Sequence, residues 1–162
     1  MTSLEFAINM ELEGEKYYKE QALLNKGNVL EVIFNLLAQD EAHHAQVLRH
    51  KFNKQEYHLQ SNSAIKETDN IFSGLKDFLV KLSDESKKQL AVYDEALKRE
   101  KESIELYRKF LAEATNKEDS ELFEQLIVQE KEHYDIFDNI LTLLNRPHDW
   151  VESAEFGIRE EY

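Results

Sequence analysis

The sequence repeats part of itself: when residues 7–48 are shifted by 89 positions, they fall on residues 96–137 with matching residues at several places. The shared polar residues are the informative part of this match, because apolar positions coincide in any two amphipathic helices. The polar matches are Glu11 with Glu100, Tyr18 with Tyr107, Glu41 with Glu130, and His44 with His133. The repeat predicts a fold built from two similar halves.

Each half contains two segments with the apolar periodicity of an amphipathic helix. The four predicted helices cover residues 3–25, 29 into the fifties, 89–114 and 118–145. Only 4 Gly and 1 Pro occur in the 162 residues, so few residues would interrupt these helices. Turns at 25–28 and 115–117 join the helices in pairs, which predicts an all-α fold of two helical hairpins.

The stretch between the two halves is too long for a hairpin turn. Residues 60–70 are polar, and residues 71–82 have the pattern of a short helix. One long connection between two hairpins predicts an antiparallel four-helix bundle with a crossover, in which the second and third helices run parallel. We assign the bundle to residues 1–146. Residues 147–162 are predicted to form a C-terminal helical tail that packs on the bundle or on a partner subunit.

Six of the repeated polar residues interrupt the predicted apolar faces. On the second helix, Glu41 and His44 stand where the apolar row between Leu37 and Leu48 would continue, and the fourth helix has the same arrangement. A carboxylate buried without a partner is costly, or it is neutralised by a shift of its pKa. Four carboxylates facing one another would also repel. A pair of divalent cations would remove both problems.

The spacing of these residues also suits a metal site. Residues three apart project from the same side of a helix, so each Glu-x-x-His can present a carboxylate and an imidazole together. Two such helices and one Glu from each of two others form the ligand set of carboxylate-bridged dimetal bundles. The alternative is a buried polar network without metal. The predicted metal ligands, with Glu41 and Glu130 as the bridging pair, are Glu11, Glu41, His44, Glu100, Glu130 and His133.

Two tyrosines accompany the predicted ligands. Tyr18 and Tyr107 follow Glu11 and Glu100 by two helical turns on the same face. We predict that they hydrogen-bond the ligand carboxylates and in this way support the chemistry of the metal site. The alternative is that they are ordinary core residues.

Composition excludes several classes of protein. The chain has no Cys, which excludes zinc–thiolate sites, iron–sulfur clusters and thiol catalysis, and a site of Glu and His suits iron or manganese. A net charge of −13 argues against binding nucleic acid. No apolar stretch approaches the roughly 20 residues that span a membrane, and no signal-like pattern opens the sequence. We therefore expect a cytoplasmic protein that does not enter membranes.

The motifs resemble those of rubrerythrins, a branch of the ferritin-like di-iron proteins. The resemblance extends over residues 4–144 and is carried by the first-helix motif at 7–18, the Glu-x-x-His at 41–44, Glu100, and the Glu-x-x-His at 130–133. It implies a ferritin-like bundle that holds two iron ions and forms a homodimer. Manganese or a mixed metal pair is also chemically possible with these ligands.

The resemblance also implies an activity. Rubrerythrin-like proteins are oxidoreductases that reduce hydrogen peroxide, or dioxygen, in oxidative-stress defence. Two features depart from the family pattern: no Cys is present to hold a rubredoxin-like iron, so electrons would come from an external donor such as a rubredoxin, and Ser103 stands where rubrerythrins carry an extra carboxylate. The alternatives are a ferroxidase without turnover, a metal-binding protein without catalysis, and a metal-free interaction module.

Overall fold

A computed structural model of the protein describes residues 1–65, 74, 77 and 89–145. Over these residues the chain forms four long helices and no strand: α1 (Ser3–Leu24), α2 (Val29–Phe52), α3 (Leu90–Glu113) and α4 (Lys117–Asn145). None of these four helices has the length and apolar character needed to cross a membrane. The four predicted helices are confirmed. The predicted short helix at 71–82, apart from positions 74 and 77, and the predicted tail at 147–162 lie outside the described residues.

Side-chain caps and a glycine fix the ends of the first two helices. Thr2 and Glu5 form a capping box, in which the Glu5 N–H donates to Thr2 Oγ1 (3.1 Å) and the Thr2 N–H donates to Glu5 Oε2 (2.7 Å). In the turn after α1, Gly27 has a φ of 90°, a left-handed conformation that favours glycine. Asn28 Oδ1 then accepts the N–H of Leu30 (2.8 Å) and caps α2.

Hydrogen bonds between α1 and α3 establish the directions of the helices. Glu11 on α1 is bonded to Tyr107, whereas Tyr18, farther along α1, is bonded to Glu100, which lies earlier on α3. α1 and α3 therefore run antiparallel. Because the short turns make α1 antiparallel to α2 and α3 antiparallel to α4, α2 and α3 run parallel. The predicted ferritin-like arrangement of the bundle is confirmed.

The buried apolar residues form two clusters. We name them the first cluster, which includes Tyr18, Phe34 and Phe137, and the second cluster, which includes Leu48, Tyr107 and Phe123. On every helix the predicted metal ligands lie between residues of one cluster and residues of the other. The bundle thus has apolar packing at both ends and a layer of buried polar side chains between them, which we name the polar layer.

After α2 the chain crosses the polar layer. Residues 55–65 form neither helix nor strand. Leu59 is buried in the second cluster and Ile65 in the first. We name residues 59–65 the crossing segment. Its two buried ends fix it against the bundle alongside the polar layer.

Candidate metal centre

The polar layer brings all six predicted ligands together. Each of these six residues is at most 4% exposed. All four helices contribute: α1 supplies Glu11, α2 supplies Glu41 and His44, α3 supplies Glu100, and α4 supplies Glu130 and His133. Four carboxylates and two imidazoles therefore share one interior site between two apolar clusters.

The six side chains form two overlapping groups, in each of which one possible ligand atom per residue lies within 4.8 Å of the others. The two groups have Glu41 and Glu130 in common. The His44 position is completed by Glu11 and His44, and the His133 position is completed by Glu100 and His133. Two neighbouring metal ions with two shared carboxylates need this arrangement.

The two imidazoles present the same nitrogen to the carboxylates. His44 Nδ1 lies 3.0 Å from Glu130 Oε1, and His133 Nδ1 lies 3.2 Å from Glu41 Oε1. The two rings are stacked with their centroids 6.1 Å apart. The Nδ1 atoms are therefore the nitrogens available to a metal pair.

The other imidazole nitrogen faces a residue that sequence reasoning missed. His44 Nε2 lies 2.7 Å from Gln129 Oε1, and His133 Nε2 lies 2.8 Å from Asp40 Oδ2. Both partners are buried, and each immediately precedes a shared glutamate. Asp40 and Gln129 correspond to each other under the 89-residue shift, and this is the signal that could have found them. Because they are different residue types, a search for repeated identities passes over them.

Two tyrosines bind the carboxylates of Glu11 and Glu100 across the space between α1 and α3. The Tyr18 hydroxyl donates to Glu100 Oε1, and the Tyr107 hydroxyl donates to Glu11 Oε1. Burial and the nearby carboxylates raise the pKa of both phenols well above the usual value. Both hydroxyls therefore keep their protons at neutral pH. The hydrogen bonds expected from the sequence are present, and a role in a reaction stays a prediction.

The four carboxylates divide into two with raised and two with lowered pKa values. Burial raises the pKa of Glu41 and Glu130, and repulsion from neighbouring carboxylates raises it further. Burial acts in the same direction on Glu11, but the neighbouring Glu41 carboxyl and the charge of His44 outweigh it and lower the Glu11 pKa to about 2. For Glu100, burial is likewise outweighed by the adjacent imidazolium, and its pKa is lowered.

The histidines have raised pKa values. Burial alone would lower the pKa of His44, but the negative charges of Glu11, 3.5 Å from His44 Nδ1, and of Glu41 raise it to about 9. For His133 burial is outweighed by the charge of Glu100 and the hydrogen bond of Asp40, which raise its pKa well above the usual value. Because a metal ion binds the deprotonated form of an imidazole nitrogen, metal binding at these histidines would release protons.

The residues of the polar layer fit a pair of metal ions. Among the described residues, none forms a hydrogen bond with the buried Oε2 atom of Glu11, of Glu100 or of Glu130. In Glu11 and Glu100 the other oxygen accepts from a tyrosine, so the tyrosines determine which oxygen is left for a ligand. An unpaired buried carboxylate oxygen is costly. Divalent iron or manganese accepts mixed oxygen and nitrogen donors of this kind and would satisfy all three atoms.

A cleft of about 590 Å³ lies along α1 and α3 and reaches the polar layer. Its lining includes Tyr18, Glu41 and Glu100 on the inside and apolar residues such as Met10 farther out. Gly14 also lines the cleft and lies next to Glu41. A Cβ atom at position 14 would be 3.5 Å from the Glu41 side chain, which is an ordinary contact distance. The cleft thus extends from the surface to the carboxylates of Glu41 and Glu100.

Ser103 lines the same cleft. Its hydroxyl donates to the backbone carbonyl of Arg99 within α3, at 3.0 Å. Rubrerythrins carry an extra carboxylate at the position of Ser103. In this chain the position has a hydroxyl instead, and that hydroxyl is bonded to the backbone of its own helix.

Comparison with known protein families agrees with the resemblance seen in the motifs. The Rubrerythrin family model matches residues 3–141, which is most of the chain and includes the six residues of the polar layer and both tyrosines. No curated protein and no solved structure matches the chain. The four-helix architecture and the family match lead to the same conclusion: the chain belongs to the rubrerythrin family.

Proposed function

We propose that this chain is a di-iron oxidoreductase that reduces hydrogen peroxide, or dioxygen, with electrons from a separate donor. The observation that carries the proposal is the pair of Glu/His groups that have Glu41 and Glu130 in common. Membership of the rubrerythrin family supports iron as the metal and hydrogen peroxide as the oxidant. Manganese or a mixed pair is compatible with the same ligand set.

The protein's own part is to hold two ions close together. Glu41 and Glu130 would bind both ions, while Glu11 and Glu100 would each bind one, together with one imidazole Nδ1. When bound, two ferrous ions supply one electron each, and hydrogen peroxide takes up two electrons and two protons to give two water molecules.

Tyr18 and Tyr107 would keep Glu11 and Glu100 in position. Each tyrosine occupies one oxygen of its glutamate and leaves the other oxygen free. The Tyr18 ring is itself fixed by stacking on Phe137, with ring centroids 5.8 Å apart. Because both phenols stay protonated, they act as hydrogen-bond donors and not as metal ligands.

Access and shelter come from opposite pairs of helices. The cleft along α1 and α3 would admit a small oxidant to Glu41 and Glu100. On the side of α2 and α4, the imidazoles are covered by Asp40, Gln129 and the crossing segment. The oxidant would therefore approach the carboxylates and not the histidines.

Electrons would come from outside the chain. The sequence has no Cys that could hold a rubredoxin-like iron, so a separate rubredoxin is the proposed donor. A cytoplasmic homodimer that acts in oxidative-stress defence completes the proposal, and family membership is its support.

Stopped-flow mixing tests the proposed activity. Protein loaded anaerobically with two ferrous ions per chain is mixed with hydrogen peroxide or with dioxygen. We expect faster oxidation by peroxide, and repeated cycles when reduced rubredoxin is supplied. Glu130→Gln keeps the size of the side chain but removes a shared carboxylate, and this control should lose both effects. Oxidation of the wild-type protein no faster than that of Glu130→Gln would contradict the proposal.

A ferroxidase without turnover is the second candidate, and Ser103 is the observation that favours it. Oxidation of one iron pair per chain with no re-reduction by a donor would support this candidate. Ser103→Glu returns a carboxylate to the cleft. If the missing carboxylate prevents turnover, this variant should cycle with rubredoxin where the wild-type protein does not. A metal-binding protein without catalysis would show no acceleration by either oxidant.

A further inference from the structure

Asp40 and Gln129 make the surroundings of the two histidines different. They hold corresponding places in the two halves, and each accepts a hydrogen bond from an imidazole Nε2. One is a carboxylate and the other is a neutral amide. Within the part of the chain that the structure describes, a carboxylate therefore lies behind the His133 imidazole and an amide lies behind the His44 imidazole.

The crossing segment determines which residue type fits at each place. Gln129 Nε2 donates to the backbone carbonyl of Gln60 at 2.6 Å. Because a carbonyl only accepts, the amide nitrogen must face Gln60, and Oε1 must face His44. His44 therefore keeps a proton on Nε2, and Nδ1 is the nitrogen that would give up its proton to bind a metal ion.

The crossing segment presents a backbone N–H to Asp40, whereas it presents a backbone carbonyl to Gln129. Its Oδ1 accepts the backbone N–H of Ala64 at 2.7 Å, and its Oδ2 faces His133 Nε2 at 2.8 Å. A carboxylate can accept both bonds, whereas an amide has only one accepting atom. The difference between the two positions thus follows from the path of the backbone.

Several contacts fix the crossing segment against the bundle. Leu59 and Ile65 are buried at its two ends, and the Gln60 N–H donates to His43 Nε2 at 3.2 Å. Residues 60 and 64 are thereby held opposite α4 and α2. One short segment sets the hydrogen-bond partners behind both imidazoles.

We propose, on the basis of the dimetal site proposed above, that the two metal positions are inequivalent and that the His133 position binds a divalent ion more tightly and fills first. A carboxylate that accepts the imidazole N–H makes the ligating nitrogen a stronger donor and adds a negative charge near the ion. Changes to such outer partners typically alter metal affinity by about 10- to 100-fold. Asp40 and Gln129 act here as positioning residues.

Manganese, which does not need reduction or exclusion of peroxide, is a suitable probe. The wild-type protein is crystallised with one equivalent of Mn²⁺ per chain, and anomalous scattering gives the occupancy at each position. For independent sites, an affinity difference of about 10- to 100-fold gives an occupancy ratio of roughly 3 to 10. We expect the higher peak beside His133. Equal peaks, or a higher peak beside His44, would overturn the proposal.

Two variants test the cause. Asp40→Asn removes the charge and cannot accept both bonds, so it should bring the occupancies together or invert them. Gln129→Met keeps the length of the side chain and leaves His44 Nε2 without an acceptor, so it should widen the ratio in favour of His133. An unchanged ratio in both variants would overturn the assigned cause.

The outcomes separate this inference from the proposed function. The ratio of the two Mn²⁺ occupancies in the wild-type protein tests the inference by itself. It does so even if a variant fails to fold. Two unequal peaks support the inference, and two equal peaks contradict it while leaving the dimetal site intact. Mn²⁺ at neither position would contradict the dimetal site itself and the inference with it.

Discussion

The two helical pairs of the bundle agree in the residues that meet at the polar layer and differ in the residues behind them. Glu, His and Tyr recur in both pairs, whereas Asp40 is matched by Gln129 and Gly14 by Ser103. A metal site accepts few donor types, so ligand positions tolerate little change. The positions behind them have only to complement their own surroundings, which are an N–H in one half and a carbonyl in the other.

The apolar surroundings of the tyrosines differ in the same way. Tyr18 stacks on Phe34 and Phe137, with ring centroids 6.1 and 5.8 Å away. Tyr107 stacks on Phe123 at 6.4 Å and meets Phe110 edge-on. The same hydroxyl-to-carboxylate bond is therefore supported by different packing. Similar chemistry in the two halves does not require similar cores.

Loss of a shared glutamate should have the largest effect, because it disrupts both halves at once. Glu130→Ala is expected to lower metal affinity on the order of 100-fold or more and to reduce the metal content from two ions per chain to none. Elemental analysis gives the content, and circular dichroism checks that the helices remain. Glu124→Ala, at an exposed place on α4, is the control and should bind two ions. Normal loading of Glu130→Ala would refute the ligand assignment.

Metal removal should make stability depend on pH. His44 has a pKa of about 9 in the folded chain and about 6.5 when unfolded, so the folded state holds the extra proton between these values. Its stabilising contribution is complete below about pH 6.5 and is lost as the pH rises toward 9. The raised pKa values of Glu41 and Glu130 act with the same sign. For each extra proton that the folded state holds, the free energy of unfolding falls by about 1.4 kcal/mol for every unit by which the pH rises.

Thermal unfolding of chelator-treated protein at pH 6.5 and pH 8.5 measures this dependence. We expect the Tm of the metal-free protein to fall between these pH values, and the Mn²⁺-loaded protein to show a smaller fall because metal replaces the protons. A metal-free Tm that stays constant or rises would show that the polar layer does not hold these protons.

The tyrosine hydrogen bonds allow each half to be weakened separately. Tyr18→Phe releases Glu100 and should weaken the His133 position, whereas Tyr107→Phe releases Glu11 and should weaken the His44 position. We expect about a tenfold loss of affinity at the affected position, by analogy with other outer partners of metal ligands. Calorimetric titration with Mn²⁺ measures it.

Tyr93→Phe is the matched control for both tyrosine variants, since Tyr93 is fully buried in the first cluster and donates to neither Glu11 nor Glu100. It should leave both affinities unchanged. Equal weakening of both positions by Tyr18→Phe would show that the tyrosines act on the whole layer and not on one half.

The smallest effect is expected where Gly14 corresponds to Ser103. A Cβ atom at position 14 would lie in ordinary contact, 3.5 Å from the Glu41 side chain, and α1 continues through this residue. Gly14→Ala should therefore stabilise the helix by up to about 1 kcal/mol and raise the Tm by about 2–4 °C. Two metal ions should still bind. A lower Tm would mean that Glu41 cannot accommodate the added methyl group.

Periodicity was sufficient to predict the four helices and their order. The capping box at Thr2 and the turn at Gly27 lie where the apolar periodicity stops. Both depend only on residues close together in the sequence, so they can be predicted from it. The six polar residues could be found because each one recurs in the other half and interrupts an apolar helix face. Both properties can be read from the sequence without a structure.

The 89-residue shift pairs Asp40 with Gln129, but a search for repeated identical residues finds neither of them, nor the crossing segment. Their importance comes from contacts between residues far apart in the chain, such as Gln60 with Gln129. The segment has no helical or strand period, and its position depends on two buried residues, Leu59 and Ile65. Long-range complementarity of this kind leaves no pattern within a short stretch of sequence.

We expect one pair of metal ions to lie in the polar layer, with Glu41 and Glu130 bound to both ions. A crystal structure of the protein saturated with Mn²⁺, with anomalous scattering recorded above the manganese edge, would show the ions and their ligands. We predict two peaks per chain about 3.5–4 Å apart, each bonded to both shared glutamates and to one imidazole Nδ1. A single peak, or peaks bound elsewhere while the polar layer stays free of metal, would contradict the account.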